Sequence, residues 1–232
     1  MRPILTADSV TALDARARGA VLVAGSHGGR IAGWYAAQAG VHAVILNDAG
    51  VGLDAAGIAA LAELDACGMA AATASHDSAR IGDGADMLAR GRISHVNALA
   101  AGCGLVAGQA VRDAAVRLMR APVPRGAPAR ETEGRLRLRA GACEVWGLDS
   151  IGLLETQDAG RALVIGSHGA LHGGRADSAL GVEARVAVFN DAGIGIDGVG
   201  VTRLPVLASR GMPAATVACA SARIGDARSM WA

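Results

Sequence analysis

The chain of 232 residues contains no lysine; all 22 basic side chains are arginine. That absence excludes Schiff-base and pyridoxal-phosphate chemistry on a lysine, a phosphate-loop lysine and a serine–lysine dyad. Aromatic residues are almost absent too: Trp34, Tyr35, Trp146, Phe189 and Trp231 are the whole set. Single-stranded nucleic acid is held by stacking bases on several rings, and duplexes by a surplus of positive charge. With five rings, and 22 basic against 21 acidic residues, the chain has neither, so nucleic-acid binding is not expected. The four cysteines, Cys67, Cys103, Cys143 and Cys219, show no CxxC spacing and read as free thiols of a reducing compartment. The longest uncharged run, 93–111, is interrupted by Ser94, His95, Asn97 and Gln109, which makes it a poor membrane span. No charged-then-apolar leader opens the sequence, so the expectation is a cytoplasmic protein without membrane contact.

What the chain does have is small residues, 53 alanines and 33 glycines. They favour close backbone packing, and an Ala- and Gly-rich surface without lysine is expected to support a homo-oligomer. It also contains an internal repeat. Residues 19–28 read GAVLVAGSHG and 160–169 read GRALVIGSHG; Asn47–Asp83 aligns without a gap to Asn190–Asp226, with 20 of 37 positions identical. Upstream, Asp8-Ser9-Val10 matches Asp149-Ser150-Ile151. The expected organisation is a first half at 1–120, a linker at 121–134 rich in proline, glycine and charge, and a second half at 135–232.

Each half alternates strand and helix signals. In the first, short apolar runs at 20–24, 42–46, 70–74 and 93–96 read as strands. Helices are expected over 30–39, over 55–67 with Asp54 as N-cap, from Asp77 or Ser78 to about Arg90, and before Pro122. The second half repeats this order from Ala162, with Asp197 as cap and Gly211 as stop, and ends soon after its third strand. The segment 135–146, RLRLRAGACEVW, reads as a hairpin-like edge element. The expected fold class is therefore α/β: internally duplicated, with parallel strands, strand–helix alternation and two pseudo-symmetric halves.

Polar residues recur in both halves after three successive strands: Ser26-His27-Gly28 and Ser167-His168-Gly169, Asn47-Asp48-Ala49-Gly50 and Asn190-Asp191-Ala192-Gly193, and the SARIGD segments 78–83 and 221–226. In parallel sheets, ligands sit where loops converge beyond the strand C-termini. The bland explanations are turn chemistry for the Asn-Asp-Gly stretches and helix caps or surface ion pairs for the rest. The chemical explanation assigns catalysis to Ser26, His27, Asp48, Ser78, His168, Asp191 and Ser221. His27 and Asp48 would be the acid–base pair, and Ser26 or Ser78 the nucleophile or donor. Asn47, Gly50, Arg80, Asn190, Gly193 and Arg223 would bind substrate, Arg80 clamping an anion from the first turn of a helix starting near Ser78. Such parts suit a cofactor-independent hydrolase of a C–N or ester bond in a small anionic or amide-bearing substrate. The alternatives are a metal-dependent hydrolase, should His27, His76 and His95 converge, and a non-catalytic binder of a small anion or nucleotide. No resident metal or cofactor is expected.

Overall fold

The computed structural model describes residues 2–129 and 132–232. In chain order the first part holds β1 (Ile4–Ala7), β2 (Val21–His27), α1 (Arg30–Gln38), β3 (Ala43–Asn47), α2 (Ala60–Ala66), β4 (Ala70–Ala74), α3 (Gly84–Arg90), β5 (Ile93–Val96), α4 (Ala98–Gly102) and α5 (Val111–Leu118). Its sheet has the order β1-β2-β3-β4-β5. β1 to β4 are parallel, and β5 is antiparallel to β4. The second part holds β6 (Arg135–Arg139), β7 (Val145–Leu148), β8 (Ala162–His168), β9 (Val186–Asn190), α6 (Arg203–Ser209), β10 (Ala214–Val217) and α7 (Ala227–Trp231). Its sheet runs β10-β9-β8-β7-β6, parallel except for β6. The protein is thus α/β, with two five-stranded, mostly parallel sheets.

The strands of the first sheet are apolar along their length because helices cover both faces. Ala32 and Ala36 of α1, with Leu61 and Leu64 of α2, pack over Leu22 and Val44. Met87, Val111 and Leu118, from α3 and α5, pack over Val23 and Ile45 on the other side. Alanine and glycine let the helices come close: a Cβ added to Gly33 of α1 would lie 2.6 Å from the Ala60 Cβ of α2. The second sheet is covered less evenly. Leu171, Leu180 and Leu207 lie over Leu163 and Phe189 on one face, while Ala227 and Met230 of α7 pack against Val145 and Val164 on the other.

The second half also lacks a counterpart of α1, contrary to the expected repetition. Single 3-10 turns at 172–174 and 176–178 stand there. Arg203, aligned with Ala60, fills the space. It has no exposed surface, gives Nε–H to the His168 carbonyl at 3.3 Å, bonds the carbonyls of Ser178 and Ala179, and stands over the Phe189 ring. Burial lowers its pKa only to about 10, so it stays charged at neutral pH.

Several other expectations need correcting. β1 carries no signal strong enough to be read in advance, β7 is expected only as the end of the hairpin-like element at 135–146, and β2 extends through His27 rather than ending at Ala24. Asp54 and Asp197 are not helix caps: both have left-handed φ (53° and 60°), inside 3-10 turns that precede α2 and α6. The helix expected from Asp77 or Ser78 begins only at Gly84, capped by the Asp83 side chain. Arg80 therefore lies in a loop and not in a helical first turn. The segment 135–139 does form an edge strand. Of the linker, 121–129 forms no helix or strand, Arg125 N–H bonding the Cys67 carbonyl at 3.0 Å, and 130 and 131 lie outside the described residues.

Candidate active site

The loops that follow β3, β4, β9 and β10 meet each other between the two sheets. Leu53 N–H donates to the Cys219 carbonyl at 2.8 Å, and Ile196 N–H donates to the His76 carbonyl at 2.9 Å. Gly50 (φ 75°) and Gly193 (φ 77°) touch back to back: a Cβ on either would lie 3.0 Å from the other's Cα. Arg80 Nε–H reaches Asp197 Oδ2 at 3.0 Å, and Arg223 Nε–H reaches Asp54 Oδ2 at 2.7 Å. Both loops are wound in the left-handed region, including the β-branched Val51 and Ile194 (φ 63° each), a conformation such side chains adopt only when the surroundings impose it.

Much of the recurring polar set is committed to holding these loops. Asn47 Oδ1 accepts from Ala49 N–H at 2.9 Å while Nδ2 donates to the Ala79 carbonyl; Asn190 does the same with Ala192 and Ala222. Ser26 Oγ accepts from Val10 N–H. Ser78 Oγ donates to the Ser75 carbonyl and accepts from Arg92 N–H, and Ser221 Oγ donates to the Ala218 carbonyl. Asp191 Oδ1 accepts from Gly193 and Cys219 N–H, both at 2.8 Å.

Asp48 binds His76 and not His27, so the expected acid–base pair is not formed. Its Oδ1 accepts from His76 N–H at 2.9 Å and meets Nδ1 at 2.8 Å. Burial pushes the Asp48 carboxyl up, but the bonds to His76 outweigh it and hold it below the usual range. The same bond raises His76 by more than burial lowers it. Nor do His27, His76 and His95 converge: β3 separates β2, which ends in His27, from β4, which His76 follows. Among the described residues no three His, Cys, Asp or Glu side chains stand together as a metal site.

His27 instead lines a cleft of about 430 Å³ with Arg30, Thr132, Glu133, Asp149 and Arg223. Gly29 N–H donates to His27 Nδ1 at 3.1 Å, so the neutral ring carries its proton on Nε2. Burial lowers its pKa to about 4, and the ring is neutral at physiological pH. Burial also raises the Glu133 carboxyl, against the bonds it receives from Tyr35 and Ser150, and the nearby Asp149 raises it further. Tyr35 O–H donates to Glu133 Oε2 at 3.2 Å. A narrow recess of about 50 Å³, sharing His27, Glu133 and Asp149 in its lining, reaches His168 and His172. His168 accepts from Ala170 N–H at 3.3 Å, and burial holds it well below the usual imidazole range.

The corresponding hollow beside Arg80 and Asp197 measures about 300 Å³. The 172–174 turn lines it: Gly173 N–H bonds the Gly82 carbonyl at 2.7 Å, and a Cβ on Gly173 would lie 2.7 Å from Asp8 Oδ2. Asp8 lies against this turn and does not line the hollow, whereas its match Asp149 lines the open cleft.

Sequence reasoning missed Glu133 and Asp149. Asp149 had a usable signal, since Asp-Ser precedes the first repeat block in both halves; Glu133 had none, lying in a stretch with linker composition. A GxGxxG spacing, the mark of dinucleotide-binding turns, is not expected after any strand, yet Gly193-Ile-Gly195-Ile-Asp-Gly198 has it shortly after β9. That fingerprint requires a turn leading straight into a helix. Here a 3-10 turn intervenes before α6, and Gly193 and Gly195 are packed against the His76 ring and carbonyl.

The fold and site define an α/β protein of two sheets whose strand-end loops interlock beside an ionisable cleft. In comparisons with known proteins, no family model, no curated protein and no solved structure matches the chain. No described helix is long and apolar enough to cross a membrane.

Proposed function

We propose that the protein is a cofactor-independent hydrolase of a C–N or ester bond in a small anionic or amide-bearing substrate, bound in the His27 cleft. The observation that carries this reading is one cleft holding both a neutral imidazole with its proton on Nε2 and a carboxyl, Glu133, whose proton affinity is raised by burial. A general acid–base residue works best with a pKa drawn towards the working pH.

In this mechanism water is the nucleophile, because the Ser26 and Ser78 hydroxyls are engaged by backbone groups. Ionised Glu133 takes a proton from the water as its oxygen bonds the substrate carbonyl carbon. His27 Nε2–H donates to the carbonyl oxygen as negative charge develops there, with no change in its own protonation. Glu133 then returns the proton to the departing amine or alkoxide, and the C–N or C–O bond breaks. Arg223 and Arg30 are the cations on the cleft wall that the anionic group would meet, in exchange for their present partners Asp54 and Glu63. The protein acts in the cytoplasm on a small molecule, as its balanced charge and free thiols suggest.

The same reading takes the halves as products of internal duplication, related by a pseudo-twofold axis; the 20 identities over 37 positions and the reciprocal loop contacts support it. The first half supplies His27 to the open cleft. In the second, His168, Asp191 and Ser221 serve the scaffold.

The test is hydrolysis of a panel of small amides and esters, with ligand affinity measured separately by calorimetry. E133Q and H27Q are expected to lose turnover while ligands bind within a few-fold of wild type. An intact protein that turns over nothing, yet binds small anions and loses that affinity in R223A, would replace the enzyme with a binding protein.

A further inference from the structure

His27 and His168 hold the same place in the two halves. Each is the last residue of its strand, just past a register shift, and each pairs with the asparagine that ends the next strand, Asn47 or Asn190. The serine before each histidine accepts a backbone N–H from the turn after β1 or β7: Ser26 from Val10 at 3.0 Å, Ser167 from Ile151 at 2.9 Å. These six residues, three from each half, line the recess of about 50 Å³. Each imidazole reaches towards the opposite half. A Cβ on Gly225 would lie 3.6 Å from His27 Cε1, and one on Gly82 would lie 3.4 Å from His168 Cε1.

The two rings are also set alike. Gly29 N–H bonds Nδ1 of His27 and Ala170 N–H bonds Nδ1 of His168, which leaves the proton of each on Nε2. Burial keeps both rings uncharged at neutral pH. His168 serves the scaffold through Nδ1 and through its carbonyl, which accepts from Arg203. Its Nε2–H has no such duty. Neither Nε2–H has a protein partner among the described residues, and neither is sealed off as the unpartnered Nε2 of His42 is. His168 is only 3% exposed, so the recess is where a ligand would meet that N–H.

We propose, resting on the hydrolase reading of the cleft, that His168 is a second catalytic donor. The substrate carbonyl oxygen enters the recess, and the Nε2–H groups of His27 and His168, one from each half, bind it as an oxyanion.

A recess of about 50 Å³ admits one or two groups the size of water, whose share of the liquid is about 30 Å³. A carbonyl oxygen fits there. The acyl chain and the leaving group stay in the 430 Å³ cleft, which shares His27 and Glu133 with the recess. As water attacks, the C=O π pair moves to the oxygen and the proton lost by water goes to Glu133, which becomes uncharged. Asp149, the other carboxylate on the recess, is engaged by Gly134 and Ala227 N–H. When the oxyanion re-forms the C=O bond, the C–N or C–O bond breaks and the leaving group takes the Glu133 proton. Donors fixed in place before the charge develops need no reorganisation when it does.

Steady-state kinetics of full-length H168N, on the best substrate of the amide and ester panel, tests this. Asparagine keeps an acceptor near the Nδ1 position for Ala170 N–H and has no donor at the Nε2 position. kcat is expected to fall about 10²-fold, the effect of losing one such donor, with KM within a few-fold of wild type. The phosphonate in which phosphorus replaces the carbonyl carbon is expected to lose affinity by the same factor as kcat/KM. Equal losses of substrate and phosphonate affinity would mark a structural role and overturn the proposal. Should H168N fail to fold, the ring ¹⁵N–¹H spectrum of histidine-labelled wild type decides. Added phosphonate is expected to move the Nε2–H signals of both His27 and His168 downfield, and an unmoved His168 signal overturns the proposal. An active wild type matched by H168N removes the second donor alone; a wild type that hydrolyses nothing in the panel removes the hydrolase and this proposal with it.

Discussion

Asp48 holds His76 through one carboxylate oxygen, which accepts both the backbone N–H at 2.9 Å and a ring nitrogen at 2.8 Å. At the corresponding place in the second half Asp191 holds the Cys219 backbone N–H at 2.8 Å, and a thiol stands where the first half has the imidazole. The protein thus contains its own comparison between a loop in which the aspartate holds an imidazole and one in which it faces a thiol.

His76→Cys copies the second arrangement into the first. The loss expected is about 1–3 kcal/mol, the range for a hydrogen bond to a charged group. Because His76 binds protons more tightly folded than unfolded, its contribution is complete below the unfolded value of about 6.5. It fades as pH rises through the higher folded value. Urea unfolding of wild type and H76C is therefore expected to differ most at pH 5.5–6 and to converge in mildly alkaline buffer; a constant difference would show that the ring contributes packing and not charge.

His27, His168 and His172 have the opposite sign. All three are held below the ordinary imidazole value by burial, His27 and His172 to about 4. Between pH 6.5 and 4 the unfolded chain binds more protons than the folded one, so stability falls as pH drops through that window. Each histidine adds a slope of up to about 1.4 kcal/mol per pH unit. His172→Gln is expected to reduce the proton uptake on unfolding at pH 5 by about one, measured from the pH dependence of the urea midpoint. An unchanged slope would remove His172 from the account.

Arg203→Met keeps much of the side-chain length and deletes the guanidinium. The His168, Ser178 and Ala179 carbonyls then lose their donor. A cost of about 2–4 kcal/mol is expected, less than for Arg203→Ala, which also opens a cavity. Thermal unfolding of both variants gives the order; equal effects would mean that the lost hydrogen bonds rather than the cavity set the cost.

Gly50→Ala puts a methyl 2.8 Å from Cys219 Sγ and 3.0 Å from the Gly193 Cα, at a residue with φ of 75°. Clash and left-handed strain together are expected to cost about 2–4 kcal/mol. Ala at Gly198, also left-handed (φ 65°) but with nothing near its Cβ, is expected to lose only about 1 kcal/mol. Similar losses in the two variants would deny the interlock between Gly50 and Gly193 any special weight.

β2, β3 and β4, with their counterparts β8, β9 and β10, were legible because each is a short apolar run ended by glycine or a polar turn, a pattern that burial in a parallel sheet imposes on neighbouring residues. α1 was legible for a similar reason, its register of small residues being local. The identical loops were visible as text, but their purpose was not. Asp54 resembles a helix cap in sequence, and only the position of Arg223, 169 residues away, turns it into one end of an ion pair between the halves.

By itself the sequence determined the strand–helix alternation, the recurrence of three polar segments and the absence of lysine chemistry, all properties of composition and short-range order. Tertiary structure decided what those segments touch. It set Asp48 on His76 instead of His27, brought Glu133 from a linker-like stretch to the cleft, and replaced a missing helix with the Arg203 side chain. Such pairings depend on backbone paths that close over tens of residues, 28 from Asp48 to His76 and 98 from Tyr35 to Glu133, and burial, which sets the charge state of His27 and Glu133, exists only after they have closed.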